Sequence, residues 1–374
     1  MSRRIVVAIP AHNEADRIVS CVASIAAQQG APLPEVLVLL NNCTDGSVDQ
    51  LRRVAATMPL RVHGVNRNLP LHRASAGTAR RLAMLHAARL AGPDGVLLTT
   101  DADAVLPPDW LAANLRALAH ADAVTGRAVI DPIEARIIPQ ALHEADAREC
   151  EYAALLDQIA SLLDPDPADP WPRHDEASGA SIAVHASAWR RAGGIPATPI
   201  GEDRAFIAAL RRIDATIRHA PEVWVTVSGR IDGRARGGMA DTMRRRMQAA
   251  DLMLDERLEA AWPAARRASL RRAARMVHAG EGDAGALATA LACPALSRLG
   301  SGSFGAVWET VEASSPALRR RPVPVSALAA QTRIARELRD RLLSPGLLSP
   351  GLLSAGLVSP GPADRAGTSL AAPG

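Results

Sequence analysis

Apolar positions along the first half of the chain alternate between two kinds of run. Residues 5–9 (IVVAI) and 36–40 (VLVLL) are short, unbroken and rich in branched side chains, the pattern of strands buried on both faces. Between them Ile18, Val22 and Ile25 recur at helical spacing, with Asn13 and Asp16 placed ahead of them as an N-terminal cap. A helical pattern through Val54 leads to a third strand near residues 60–65. Residues 77–90 form an arginine-bearing amphipathic helix, and residues 96–100 (VLLTT) a fourth strand. Strands alternating with helices predict an α/β fold, a mainly parallel Rossmann-like sheet with helices on both faces. Ligands of such sheets bind beyond the carboxyl ends of the strands, which singles out the turns after Ile9, Leu40 and Thr100.

Residues 131–163 are helical and polar, and the proline-rich stretch 164–172 interrupts them. Residues 178–184 and 223–227 read as further strands, and beyond Gly238 alanine and arginine dominate a helical pattern. Residues 342–361 repeat a drifting Leu-Leu-Ser-Pro-Gly unit, whose prolines and glycines oppose helix and ladder alike. The expected organisation is a sheet domain over 1–235, a helical region over 236–341 and a flexible tail over 342–374. Such a tail builds no core, so deleting everything after Arg341 is expected to leave folding and turnover intact. A cooperative loss of stability in the thermal melt of that truncation would show instead that the tail packs.

Composition narrows the possible partners. Apolar residues make up 48% of the 374-residue chain but aromatics only 2%, so alanine and leucine must supply the core. There is no lysine; arginine carries the whole positive charge, and 39 acidic residues bring the net charge down to +4. Nucleic-acid binders need a basic stripe with stacking rings, which this balance does not offer. Arginines facing a few phosphates suit it better. Cys21, Cys43, Cys150 and Cys293 are widely spaced, as reduced thiols are. A strand starts almost at the N-terminus, and no run approaches the roughly 20 apolar residues of a membrane helix. The expected location is the cytoplasm.

The sharpest chemical signal is Asp101-Ala102-Asp103, directly after the fourth strand. Two carboxylates one residue apart can share Mg²⁺ or Mn²⁺, leaving positions for substrate phosphates; they also suit an acidic turn or a helix cap. In Gly201-Glu202-Asp203, Asp203 is either a general base or a carboxylate capping the helix that follows. Pro10-Ala11-His12-Asn13-Glu14 leads from strand to helix, where free N–H groups can face a nucleotide. Asn41, Asn42 and Asp45 can meet a base or ribose, or form local Asx turns. Arg80 and Arg81 reach phosphates or form a solvated face. Arg230 and Arg234, in a glycine-rich loop after a strand, suit an anion or an ordinary basic surface. Trp171 and His174 are candidates to line an acceptor site, and Trp110, Trp171 and Trp189 are candidate sugar platforms.

Taken in order, these motifs resemble the family 2 glycosyltransferases of the GT-A fold. The sequence of Pro10–Glu14, Asp45, Asp101-Ala102-Asp103, Gly193-Gly194 and Gly201-Glu202-Asp203 carries the likeness through about residue 235. The resemblance implies nucleotide binding by the first-strand turn and Asp45, and ribose and metal binding by Asp101 and Asp103. It places Ser178, Gly179 and Ala180 near donor and acceptor, and makes Asp203 the base of a single, inverting displacement. It also implies a nucleotide-diphosphate sugar as donor and a hydroxyl compound as acceptor. Two positions depart from the family. Asn41-Asn42 replaces an acid pair, and asparagine both donates and accepts where aspartate only accepts. Ser228 stands where a metal-binding histidine is common, with Arg230 and Arg234 nearby to supply positive charge.

Three alternatives remain open on the sequence. A retaining transferase of the same fold would not need Asp203 as base. A nucleotidyltransferase would carry a glycine-rich N-terminal loop with a basic residue, which residues 9–17 lack. An inactive nucleotide-sugar-binding scaffold would have no reason to keep all the acids.

Overall fold

The computed structural model describes residues 3–233, 237–293 and 302–344. Arg234, and the tail from residue 345 onward, lie outside the described residues. The chain divides into two compact units, the first made of residues 1–143 and 172–250, the second of 144–171 and 251–374.

In chain order the elements run β1 (Ile5–Ala11), α1 (Ile18–Ala26), β2 (Glu35–Asn41), α2 (Ser47–Thr57), β3 (Val62–Arg67), α3 (Ala76–Ala91) and β4 (Val96–Thr99). Then come α4 (Trp110–Leu118), β5 (Ala123–Ile130), α5 (Gln140–Leu163), β6 (Ile182–His185), α6 (Ala186–Arg191), α7 (Glu202–Arg212) and β7 (Ile217–Val227). The last five are α8 (Met239–Gln248), α9 (Ala261–His278), α10 (Ala284–Ala290), α11 (Phe304–Ser314) and α12 (Leu328–Leu343).

All strands among the described residues join one seven-stranded sheet in the order β3-β2-β1-β4-β6-β5-β7. Pairing is parallel except on both sides of β6, which runs antiparallel to β4 and β5. The central strands are apolar throughout because both faces are covered. On one face Ile18, Val22 and Ile25 of α1 pack with Leu51 of α2 and Trp110 of α4. On the other, Ala83, Met84 and Ala87 of α3 pack with Phe206, Ile207 and Leu210 of α7. Alanines on α3 let the helix lie close to the sheet, so the shortage of aromatic residues is compatible with a dense core.

Three details differ from the sequence reading. First, β1 does not stop at Ile9; Pro10 and Ala11 continue it, paired with Leu39 and Leu40. The N–H that proline lacks would point toward β4, which has already ended at Thr99. Second, α1 has no side-chain cap. Asn13 sits at φ 55° and accepts a hydrogen bond from the Thr44 N–H instead (2.8 Å). Third, β5 escapes a pattern search because Gly126 and Arg127 interrupt its apolar run. The opening residues of the tail repeat, Leu342 and Leu343, close α12, so a truncation that spares this helix ends at Ser344.

The second unit is helical. Tyr152, Leu155 and Ile159 of α5 pack with Ala261, Ala265 and Ala268 of α9 and with Ala335 and Leu338 of α12. Arg271 and Arg275 of α9 both pair with the buried Asp164 (2.7 and 3.0 Å). Among the described residues no helix is long and apolar enough to cross a membrane.

Candidate active site

The site gathers at the carboxyl ends of β1, β2 and β4 and at the start of α7. Its centre is Arg80 on α3, only 6% exposed. Its guanidinium donates to Asp101 Oδ1 (2.7 Å), to Glu202 Oε1 (2.9 Å), to Thr99 Oγ1 (3.1 Å) and to the Gly179 carbonyl (2.8 Å). Burial works against the charge on Arg80, and Asp101 and Glu202 overcome it, holding the guanidinium pKa above its ordinary value. A planar fork with fixed donors can serve four acceptors at once, which a lysine ammonium cannot. Gly179 has to be glycine: a Cβ there would lie 2.6 Å from the Arg80 guanidinium carbon.

Gly179 also donates its N–H to Asp203 Oδ2 (3.0 Å). The other Asp203 oxygen accepts from the Arg204 N–H (2.7 Å). The N-cap of α7 is Gly201, in the left-handed region at φ 69°, with no side-chain cap. Thus Asp203 sits in the first turn with one oxygen on its own helix and the other across on Gly179. Gly179 thereby touches both acid groups, Asp101 through Arg80 and Asp203 directly. Ser178 and Ala180 flank it, the Ala180 N–H reaching Ser178 Oγ at 3.3 Å. Glu202 is buried against Arg80 and does not face solvent.

Asp103 belongs to a second charge cluster. Arg230, on the loop after β7, forks across both Glu14 oxygens (2.9 and 2.5 Å) and reaches Asp103 Oδ2 at 3.1 Å. Burial, then the charge of Asp101, pushes Asp103 up to about 6 despite Arg230. Arg17 pairs with Glu134 (2.8 Å), and Glu134 holds the Ser228 hydroxyl (2.8 Å) and the Gly229 N–H (2.7 Å). A pocket of roughly 300 Å³ opens between Asp16, Arg17, Ser20, Asp103, Val105 and Arg230. Arg17 and Glu134 were not evident as site residues from sequence. Arg17 had one clue, its place one helical step after Glu14; Glu134 had none.

The two N-terminal turns are stitched together. Glu14 N–H donates to Ser47 Oγ (2.8 Å), and Asp45 takes the Ser47 N–H and hydroxyl on one oxygen (3.0 and 2.5 Å) and the Ala15 N–H on the other (3.1 Å). Asn42, at φ 51°, clasps Leu69 with both ends of its amide, donating to the carbonyl (2.8 Å) and accepting from the N–H (2.9 Å). An aspartate could make only one of those bonds, which accounts for the asparagine. The Asn41 carbonyl meets His12 Nδ1 at 2.7 Å. Pro10 and Ala11 contribute backbone to β1, and Ala102 is buried between the two acids.

Other candidates lie elsewhere. Arg81 is exposed and donates to the Ile195 carbonyl (3.0 Å), steadying the Gly193-Gly194 turn. His174 stacks edge-on to His219 (5.8 Å) and accepts the Glu176 N–H (3.1 Å). Trp171 belongs to the second unit and is 41% exposed. Trp110 and Trp189 are buried and unavailable to a sugar.

Among solved structures the chain is similar to a mannosyltransferase from Pyrobaculum calidifontis in complex with GDP-Man and Mn²⁺, at 19% identity and TM-score 0.45, over 91% of this chain and 85% of that one. It is similar to S. aureus TarS 1–349 in complex with UDP-GlcNAc at 16% identity and TM-score 0.44, over 90% and 91%. A third is glucosyl-3-phosphoglycerate synthase from Mycobacterium tuberculosis with Mn²⁺, UDP and phosphoglyceric acid, at 16% identity and TM-score 0.39, over 76% and 81%. No curated protein matches the sequence. Residues 6–154, from β1 into α5, match the model of glycosyl transferase family 2.

Proposed function

We propose that the enzyme moves a sugar from a nucleotide-diphosphate donor to a hydroxyl of a small-molecule or glycoconjugate acceptor, with inversion and with Asp203 as general base. The observation that carries this is Gly179. Its carbonyl is tied through Arg80 to Asp101, and its N–H holds Asp203, so the donor-side acid and the base share one rigid support. A base so placed needs an oxygen aimed at the acceptor, and one Asp203 lone pair beyond the Gly179 and Arg204 bonds suffices. In this reading Asp45 and the backbone of residues 10–14 border the nucleoside, and Arg230 and Arg17 face the diphosphate.

A divalent cation, Mn²⁺ or Mg²⁺, fits the donor set in one way only. Among the described residues no group of three or more histidine, cysteine or acidic side chains can hold a metal. Asp101 and Asp103 each have one oxygen engaged by arginine and a second left for an ion. That matches cations held by one or two carboxylates, with substrate phosphates completing the shell. Such an ion supplies charge neutralisation for the departing diphosphate. The protein's part is to hold Asp101 by Arg80 and to balance Asp103 with Arg230.

This assignment makes Asp103→Ala selective. Its affinity for UDP or GDP is expected to fall chiefly in the presence of Mn²⁺ or Mg²⁺, measured by calorimetry with and without metal. Equal losses in both buffers would contradict it and point to a direct ribose contact.

A further inference from the structure

The first unit has four aromatic side chains among its described residues, and three are buried: Trp110 at 1% exposure, Trp189 at 9% and Phe206 at 0%. Trp224 on β7 is 41% exposed. An indole left open costs solvation free energy that a core position would recover, so its surroundings matter.

Trp224 pairs in register with Arg127 of β5, and Thr226 with Val129, itself 43% exposed. The intervening Val223, Val225, Val227 and Ala128 pack into the core under α1 and α4. Alternation along the strands therefore turns Trp224, Arg127 and Val129 to the opposite face, the one α7 covers with Phe206 and Ile207. Asp203 stands at the start of that helix.

Contacts connect this patch to the site. Arg127 Nε donates to Glu176 Oε1 (3.0 Å), and Glu176 lies three residues before Gly179, which holds Asp203. On the other flank, Val105 of the donor pocket exchanges backbone hydrogen bonds with Thr226 (2.8 and 3.0 Å), two residues from Trp224.

We infer that Trp224, with Arg127 and Glu176 beside it, forms the acceptor platform, and that the acceptor is a neutral glycoside. This rests on the transferase reading above. A pyranose ring has a face of C–H groups, which suits an indole, and a rim of hydroxyls that both donate and accept. Arg127 offers donors and Glu176 acceptors, and both are partly exposed. Arg127 and Glu176 neutralise each other, and the exposed Glu222, two residues before Trp224 on the same face of β7, adds only negative charge, which disfavours an anionic acceptor.

The test uses the full chain and three probes: methyl glycosides of glucose, mannose and galactose. Indole N–H signals are followed by NMR, the Trp224 signal being the one lost in Trp224→Phe. At least one glycoside is expected to shift that signal. Trp224→Ala is expected to weaken its binding about tenfold, and Trp224→Phe, which keeps a ring, only a few-fold. Affinity for UDP or GDP and the melting temperature should stay unchanged in both variants.

If nucleotide diphosphates bind but no glycoside shifts the Trp224 signal, or Trp224→Ala binds glycoside normally, the platform is overturned and the transferase reading stands. A change of oligomeric state in Trp224→Ala, with glycoside binding unaltered, likewise overturns it and makes the patch a self-association surface. Failure of nucleotide diphosphates to bind the unmodified chain overturns the transferase reading, and the acceptor role with it.

Discussion

Asp203→Asn is expected to turn over roughly 10²–10⁴-fold more slowly than the unmodified enzyme, the usual loss for a general base. The substitution keeps the size of the side chain but cannot take the acceptor's proton. Of the two backbone N–H groups that Asp203 accepts, from Gly179 and Arg204, asparagine retains one on its single oxygen. The fold should therefore lose about 1 kcal/mol, the typical worth of one hydrogen bond. Donor affinity should barely move, because the base acts on the acceptor. Single-turnover rates, UDP or GDP calorimetry and a melting curve separate these effects. Near-normal turnover would reduce Asp203 to an anchor for Gly179 and restore the retaining alternative.

Arg80→Met is expected to cost about 3–5 kcal/mol of stability, as breaking a buried ion pair does. Methionine fills much of the same volume but leaves Asp101 and the buried Glu202 without their counter-charge. It also strands the Gly179 carbonyl, which Arg80 alone among the described side chains satisfies. Adding Glu202→Gln removes one of the uncompensated charges, so the double variant should recover part of the loss. Urea unfolding of the unmodified protein, of Arg80→Met and Glu202→Gln alone, and of the double variant measures the coupling. If the losses simply add, the Arg80–Glu202 pair contributes little and the clamp is a packing feature.

Much of the fold is legible in the order of residues because the central strands are buried on both faces. Runs such as IVVAI, VLVLL and VLLTT cannot be mistaken for half-solvated segments, and each ends in a turn with chemistry in it. Asp101 and Asp103 stand out for the same reason, as polar residues at the end of an apolar run, and Asp203 stands out by its place ahead of an amphipathic stretch. What sequence could not give is which partner each charge takes. Arg80 reads equally well as a phosphate ligand or a solvated residue, and proves to be a buried clamp, because Glu202 lies 122 positions away. Arg230 and Glu14 are separated by 216 positions, and no local pattern links them. β5 was hidden because Gly126 must be small, with Ser181 and Val223 crowding the space its Cβ would fill.

The place of β6 in the sheet has a consequence for a chain still leaving the ribosome. When residues 6–154 have emerged, β1 to β4 can already pair side by side. β5 cannot join them, because the strands it pairs with are β6 and β7, both made later. Until β6 slots in antiparallel, β4 presents an unpaired edge and β5 is a strand without a neighbour, a state prone to mispairing. Gly179, Glu202 and Arg230 all arrive after that point as well. The segment that matches the family model is thus unable, by itself, either to close the sheet or to assemble the site.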